Sequence, residues 1–284
     1  MSQPDPDEIR QRMAGHWERA AEGWEKHADR FRDWTMPLTA WMIEHLQLQP
    51  GQTVLELAAG PGDTGFLAAE QIAPGGTLIS SDANQAMLDL ARRRAEAQGV
   101  TNVEFKQLEL EWLDLPTAAV DAILCRWGVM LVVDPESALR ECRRVLRPGG
   151  RCVLAVWDRI ETNPWTGILV GTLVELGHFE PAGPGQPGMF ALAGPGLLED
   201  RLADAGFTGI RVESVDMTRR YDTVDDWLGE ALDVSTQVAQ VWGNLDEAQR
   251  REVRGRLQEQ AARFADAQGR LTFPARSLAG AADA

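Results

Sequence analysis

Val54-Leu55-Glu56-Leu57-Ala58-Ala59-Gly60-Pro61-Gly62-Asp63-Thr64-Gly65 runs a short apolar segment directly into a glycine-rich turn. An apolar strand ending in such a turn, with a helix opening behind it, sets backbone N–H groups at the strand's C-terminal end. Open α/β sheets bind their ligands there, where the strand order reverses. Gly60, Gly62 and Gly65 also spell G-x-G-x-x-G, the dinucleotide fingerprint, which by itself has little specificity.

The flanking sequence repeats the pattern. Strand-like and helix-like segments alternate from about 52 to 157: Thr53 to Leu57, Asp63 to Ile72, Thr77 to Ser81, Gln85 to Gln98, Val103 to Leu108, Val120 to Cys125, Pro135 to Leu146 and Arg151 to Trp157. Alternation at this spacing predicts right-handed βαβ units, hence a doubly wound parallel sheet with helices on both faces. Upstream, residues 8 to 48 read as two helices broken at Pro37, the first carrying Trp17, Ala20, Ala21, Trp24, Ala28 and Phe31 on one apolar stripe. Downstream, 158 to 196 is rich in Gly and Pro and reads as an irregular insertion. It is followed by a helix at Leu197 to Ala205, a strand at Ile210 to Val215, helical stretches at Val224 to Gln240 and Asp246 to Ala267, and a last apolar segment at Leu271 to Ala279. Pro274 restricts that segment as a strand, because proline has no ladder donor. The expected divisions are a helical cap (1–48), a ligand-binding core (49–157), an insertion or lid (158–196) and a C-terminal part with a helical insertion between the last strands (197–284).

Composition narrows the class. With 28 Lys plus Arg against 43 Asp plus Glu, the net charge of −15 disfavours a nucleic-acid groove, which needs cations to neutralise phosphates. Cys125, Cys142 and Cys152 form no CxxC, so neither a disulfide framework nor a zinc site is expected. No apolar run is long enough to span a membrane, and the first residues lack a signal-peptide core, so a soluble, cytoplasmic protein is the expectation.

Three acids choose among ligands. Glu56 precedes Gly60 by four residues, where a negative charge opposes a pyrophosphate and suits a cation. Asp82 ends the next strand, placed to accept hydrogen bonds from ribose hydroxyls. Glu109-Leu110-Glu111 after the third strand can offer a carboxylate to an exocyclic amine. Together they describe an adenosine site beside a positive charge, which fits S-adenosylmethionine, with its ammonium and sulfonium, better than a dinucleotide.

At this point the chain resembles the class I S-adenosylmethionine-dependent methyltransferases, particularly the UbiE-like branch similar to the ubiquinone/menaquinone C-methyltransferases. The resemblance rests on VLELAAGPG at 54–62, SSDAN at 80–84, LELEWLDLP at 108–116, DAILCRWG at 121–128, ALRECRRVLRPGGR at 138–151 and, more weakly, AGF at 205–207. It implies a Rossmann-like, seven-stranded, mostly parallel sheet with an N-terminal helical lid, and S-adenosylmethionine as cofactor. It also implies that Gly60 and Gly62 approach the methionine part, with Glu56, Ala58 and Arg126 around it. Asp82 then holds the ribose, Ala83 and Met87 flank the adenine, and Glu109 with Leu110 reads its edge. Ala58 stands where the family usually has its first Gly, and Glu109 where it more often has Asp. The N-terminal signature of the quinone-biosynthesis enzymes is absent.

Other conspicuous residues have plainer readings. Asp63 could touch a ligand ammonium but is expected, with Asp134, as a helix N-cap, Pro135 as a first helical residue, and Arg147-Pro148-Gly149-Gly150 as a helix stop. The cysteines read as small buried hydrophobes. Ten Trp against one Tyr is an unusual ratio, with Trp17, Trp24, Trp34 and Trp41 in the leading helices. Core packing accounts for most, and one or two are candidates to face a sulfonium or an aromatic acceptor. Arg126, Trp127 and His178 are the catalytic candidates. His16, His27 and His45 are further titratable groups. No metal is expected, because strand four is followed by Arg126 and Trp127 rather than carboxylates. The expected function is methyl transfer to a small, hydrophobic or aromatic acceptor; a nicotinamide-dependent oxidoreductase and a non-catalytic S-adenosylmethionine-binding protein are the alternatives.

Overall fold

The computed structural model describes residues 5–180 and 186–284 and begins with a 41-residue helix, α1 (Pro6–Leu46). Then follow β1 (Thr53–Leu57), α2 (Asp63–Gln71), β2 (Thr77–Asp82), α3 (Gln85–Gln98), β3 (Val103–Gln107), β4 (Val120–Arg126), α4 (Pro135–Val145) and β5 (Leu146–Trp157). The remaining elements are α5 (Pro164–Glu175), α6 (Leu197–Asp204), β6 (Thr208–Tyr221), α7 (Val224–Val234), α8 (Thr236–Asn244), α9 (Glu247–Ala261) and β7 (Leu271–Asp283). The strands form one seven-stranded sheet in the order β3-β2-β1-β4-β5-β7-β6. β7 alone runs antiparallel, between β5 and β6. The Rossmann-like architecture expected from the alternating pattern is therefore the observed one.

Interior strands are apolar on both faces because helices cover both. Val54, Leu55 and Leu57 of β1 and Ala122 to Cys125 of β4 are all buried. Pro274 is accommodated because β5 pairs only with residues 277–283 of β7. The proline lies in the stretch that has β6 as its one neighbour, where a missing ladder donor leaves one side of the strand unaffected.

Two expectations about the helices are corrected. Pro37 does not divide the leading segment; α1 runs through it. An interior proline costs about 3 kcal/mol or more, but α1 is docked along its length, with Ala20, Ala28, Phe31, Leu38 and Met42 buried. The Thr35 hydroxyl also donates to the carbonyl of Phe31, supplying a bond near the interruption. Residues 158–196 are not simply irregular, because α5 lies within them. Its sequence is apolar all round, so it has no amphipathic period, and Gly167 and Gly171 mimic a loop. Asn163, fully buried, fastens this helix to the sheet: its amide donates to the carbonyls of Asp158 and Arg276 and its Oδ1 accepts from Arg276 N. Part of the Gly/Pro stretch, residues 181–185, lies outside the described residues.

α5, α7, α8 and α9 build a second apolar cluster around Trp227 and Phe273, beside the main core of the sheet. The first helical stretch expected after β6 is two helices, because Ser235 ends α7 and caps α8, accepting from Val238 N.

α1 rests on α7 at Gly23, where an added Cβ would stand 2.0 Å from the Asp233 carbonyl oxygen. Lys26 and His27 pair with Asp233 alongside, and Arg30 binds Asp226 through two hydrogen bonds of 3.0 and 3.1 Å. Gly23→Ala is expected to cost ~1–3 kcal/mol through overpacking. Gly229→Ala, in α7 with open space around it, is expected to be neutral or stabilising through helix propensity. Urea midpoints of the two variants check the opposite signs.

Candidate functional site

β1 is followed by β2 and β3 on one side of the sheet, whereas β4 is followed by β5 on the other, so a crevice opens over the C-terminal ends of β1 and β4. Its floor is a run of left-handed backbone: Ala58 (φ 50°), Gly60 (φ 52°), Gly62 (φ 84°) and, across the crevice, Trp127 (φ 63°). For the two residues with side chains this conformation costs about 1–2 kcal/mol each. Such strain concentrates at ligand sites. Gly128 completes the floor, since a Cβ there would come within 2.5 Å of the Ala58 Cβ.

Glu56 is buried beneath the turn rather than facing the crevice. Gly65 N–H donates to Oε1 (2.7 Å), and the Ser80 hydroxyl donates to Oε2 (3.1 Å). A Cβ at Gly65 would stand 2.1 Å from Oε2, so the third glycine makes room for this carboxylate. Burial pushes the Glu56 carboxyl up to about 8, against the opposing effect of those two hydrogen bonds. Glu56 is thus a positioning residue that ties β1, β2 and the start of α2 together.

Asp82, at the end of β2, faces the turn: Oδ2 accepts from Gly60 N (3.0 Å) and Oδ1 from Asn84 N (2.9 Å). Each carboxylate oxygen retains a lone pair for a hydroxyl donor. Burial raises its pKa, with these two backbone bonds opposing and the nearby Glu109 charge adding to the rise. Ala83 is half-buried and Met87 and Leu110 are buried around the same end of the crevice, while Glu109 is exposed. Leu110 reaches across to within 3.5 Å of where a Gly128 Cβ would sit. Glu111 is committed elsewhere, accepting from Arg10 and from Asp134 N.

Asp63 departs from expectation. It is not an N-cap; Gly62 holds that position without a side-chain bond, and Asp63 is the first helical residue. Its Oδ1 accepts from Arg94 at 2.6 Å, whereas Oδ2 is buried with no partner. A buried carboxylate oxygen left unsatisfied beside the turn is the feature a ligand ammonium would complete. The sequence offered both an ammonium contact and a cap for Asp63 and favoured the cap, because an Asp after a Gly turn usually caps; the structure shows no cap bond there. The Asp134 cap is present, accepting from Ser137 N.

Residues 48–169 match the family described as methyltransferase domain. The match spans 122 of the 284 residues, a little under half of the chain. The ubiquinone/menaquinone biosynthesis C-methyltransferase UbiE of Hahella chejuensis is 34% identical over 123 residues, covering 43% of this chain and 49% of that one. An arsenite methyltransferase of Halobacterium salinarum is 29% identical over 193 residues, 65% of this chain and 45% of that protein. The chain thus spans about half the length of these curated relatives. Among solved structures, a putative methyltransferase from Bacillus halodurans superposes with TM-score 0.59 at 18% identity, covering 86% of this chain and 97% of that one. A SAM-dependent methyltransferase from Aquifex aeolicus gives 0.51 at 20% identity, covering 75% and 94%.

The groups at the crevice suit S-adenosylmethionine, the cofactor expected from the sequence. Asp82 offers acceptors to a diol, and Asp63 offers an orphan anionic oxygen to an ammonium. Asp63 adds negative potential for a sulfonium, whereas Glu56, buried and holding its proton up to about pH 8, does not. Opposite the turn, Arg126 leaves β4 and donates to Thr35 Oγ1 (2.7 Å) and Thr39 Oγ1 (3.4 Å) of α1, which lies over the crevice. Desolvation lowers the Arg126 pKa, with Asp63 and Glu56 opposing. Trp127 stacks on Trp157 at 4.2 Å and on Trp34 of α1 at 5.6 Å, and its Nε1 donates to Ser277 Oγ.

The histidines lie apart from this constellation. His178 lies just past the C-terminal end of α5, where its N–H donates to the Leu173 carbonyl, whereas Trp165 sits in the first turn of that helix. His16 contacts Thr236, His27 pairs with Asp233, and His45 stacks on Trp41. Among the described residues, no group of three or more His, Cys, Asp or Glu is placed to hold a metal ion. No helix among them is long and apolar enough to cross a membrane.

Because the folded state holds a Glu56 proton that the unfolded chain releases near its ordinary value of 4.5, stability should fall as pH rises from there toward 8. The limiting slope is ~1.4 kcal/mol per pH unit. Glu56→Gln should flatten this dependence, and urea midpoints of both proteins at several pH values between 5 and 9 measure it.

Proposed function

We propose that the chain is an S-adenosylmethionine-dependent methyltransferase acting on a small, hydrophobic or aromatic acceptor without a metal. The observation that carries this reading is the pair of crevice carboxylates: Asp82 bonded to the Gly60 amide with capacity to spare, and Asp63 with a buried oxygen lacking a partner. A cation bearing a ribose complements both, and a pyrophosphate complements neither.

When bound, S-adenosylmethionine supplies an electrophilic methyl group. The rest is the work of this chain. Asp82 would hold the ribose hydroxyls and Asp63 the ammonium. Gly60 and Gly62 let the backbone approach closely, Ala83, Met87 and Leu110 would enclose the adenine, and Glu109 would read its edge. Arg126 would sit at the methionine end, held by two threonines of α1. Trp34 and Trp127 wall off the reacting side and exclude water. With no histidine at the crevice, positioning is the main resource; holding reactants in attack geometry contributes ~7–11 kcal/mol. Such a site suits an acceptor that is already nucleophilic, because only a poor nucleophile needs a base.

The buried thiols argue against a soft thiophilic acceptor like that of the arsenite-named relative. All three cysteines are sealed in the core, and burial pushes Cys125 up to about 12.

Calorimetric titration should show S-adenosylmethionine and S-adenosylhomocysteine binding and NAD(H) not binding. Asp82→Ala should weaken the donor by about tenfold or more, as expected for a lost charge-assisted hydrogen bond. Product formation with a panel of aromatic acceptors separates an enzyme from a binding protein, and methylation should persist in EDTA. Unchanged donor affinity in Asp82→Ala would overturn the ribose assignment; loss of activity in EDTA with recovery on Mg²⁺ would overturn metal independence.

A further inference from the structure

Arg126 is the last residue of β4, one step past the Leu57–Cys125 pair, so it stands beside Ala58 at the mouth of the glycine turn. Glu56 pairs with Leu124 in this parallel register, and side chains two residues apart share a face of the sheet. Arg126 therefore projects on the face that carries the start of α2, reached by Glu56 through Gly65, and the middle of α1, reached by Arg126 itself.

The guanidinium is unevenly used. Nη1 donates to both threonine hydroxyls of α1, while Nε and Nη2 make no hydrogen bond and the cation makes no ion pair among the described residues. Thr35 and Thr39 are buried and, four residues apart, lie on one side of α1. Thr35 gives its own hydroxyl proton to the Phe31 carbonyl (2.7 Å), so toward Arg126 it acts only as an acceptor. The edge left open, Nε with Nη2, is the fork that binds a carboxylate through two parallel bonds, as Arg10 binds Glu111 elsewhere in this chain. Of the carboxylates, Asp63 acts most strongly on the Arg126 charge, yet the two form no ion pair. Asp63 holds Arg94 through Oδ1 and keeps Oδ2 without a partner; Arg94, the other cation here, is balanced by Asp63 and Asp29. The turn is thus flanked by a carboxylate with an open oxygen and a guanidinium with an open fork. An α-amino acid group carries the complement of both, an ammonium and a carboxylate.

We infer that Arg126 takes the α-carboxylate of the methyl donor through its Nε–Nη2 edge, and that Thr35 and Thr39 are the positioning residues that hold this edge in place; the inference rests on the donor proposed above. The crevice then reads the whole amino-acid end of the donor, the ammonium at Asp63 and the carboxylate at Arg126, and discriminates against a donor that lacks the carboxylate. Because the threonines belong to α1, that helix takes part in donor recognition through Arg126.

The test is calorimetric titration of the full chain with S-adenosylmethionine and with decarboxylated S-adenosylmethionine, which keeps the sulfonium and the amine. The intact donor should bind about tenfold or more tightly, as expected for a charge-assisted hydrogen-bond pair. Arg126→Gln should remove most of that preference by weakening the intact donor, while the decarboxylated one binds as before or better, having one cation fewer to face. Thr35→Val and Thr39→Val should each cut the preference severalfold, and Thr35→Ser, which keeps the hydroxyl, should retain it. Circular dichroism reports folding, and the threonine variants decide the matter if Arg126→Gln does not fold. Equal affinity of the unaltered protein for the two donors, equal weakening of both by Arg126→Gln, or a preference untouched by Thr35→Val and Thr39→Val would overturn the inference. Equal binding of the two donors defeats the carboxylate assignment alone and leaves the donor reading of the crevice standing, whereas binding of neither donor nor of S-adenosylhomocysteine defeats that reading and the inference with it.

Discussion

Glu56, sealed under the glycine turn, accepts from the Gly65 amide and the Ser80 hydroxyl, while the Ser81 hydroxyl donates back to the Glu56 carbonyl. Two strands and the first turn of α2 are thereby held to one another at the edge of the sheet where a ligand enters. Burying a carboxylate is costly unless its lone pairs are used, and here the missing Cβ of Gly65 allows the amide to reach it. The left-handed residues of the turn, the direction of Asp82 and the orphan oxygen of Asp63 all follow from that fixed geometry.

α1 supplies the other wall. It crosses the crevice and meets the domain through contacts of different kinds: Arg126 on Thr35 and Thr39, Trp34 on Trp127, and the ionic cluster of Arg30, Asp226 and Glu230 on α7. The aromatic residues along its stripe are therefore not only core. Trp17, Trp24, Phe31 and Trp34 form a continuous ladder of ring contacts that ends at the crevice.

Much of the fold was legible because the βαβ core repeats a local grammar. The strand at Thr53, the helix at Gln85 and the strand at Val120 begin where apolar period and turn residues say they should. Errors arose where local signals and tertiary contacts disagree. Pro37 signals a break that docking overrides, α5 has no polar face to betray its period, and Asp63 has the composition of a cap without the bond of one.

By itself, then, the sequence determined the doubly wound core, the position of its ligand-binding edge and the acids aligned there, since these depend on short-range periodicity and on residues a few positions apart. Tertiary structure alone decided that Glu56 supports the turn from below, that Asp63 keeps an open oxygen, and that α1 lies across the crevice and meets α7 through Arg30, Asp226 and Glu230. Those features join side chains up to 200 residues apart in the chain, as Arg30 and Glu230 are. Burial and hydrogen-bond balance at such contacts exist only once the elements are packed.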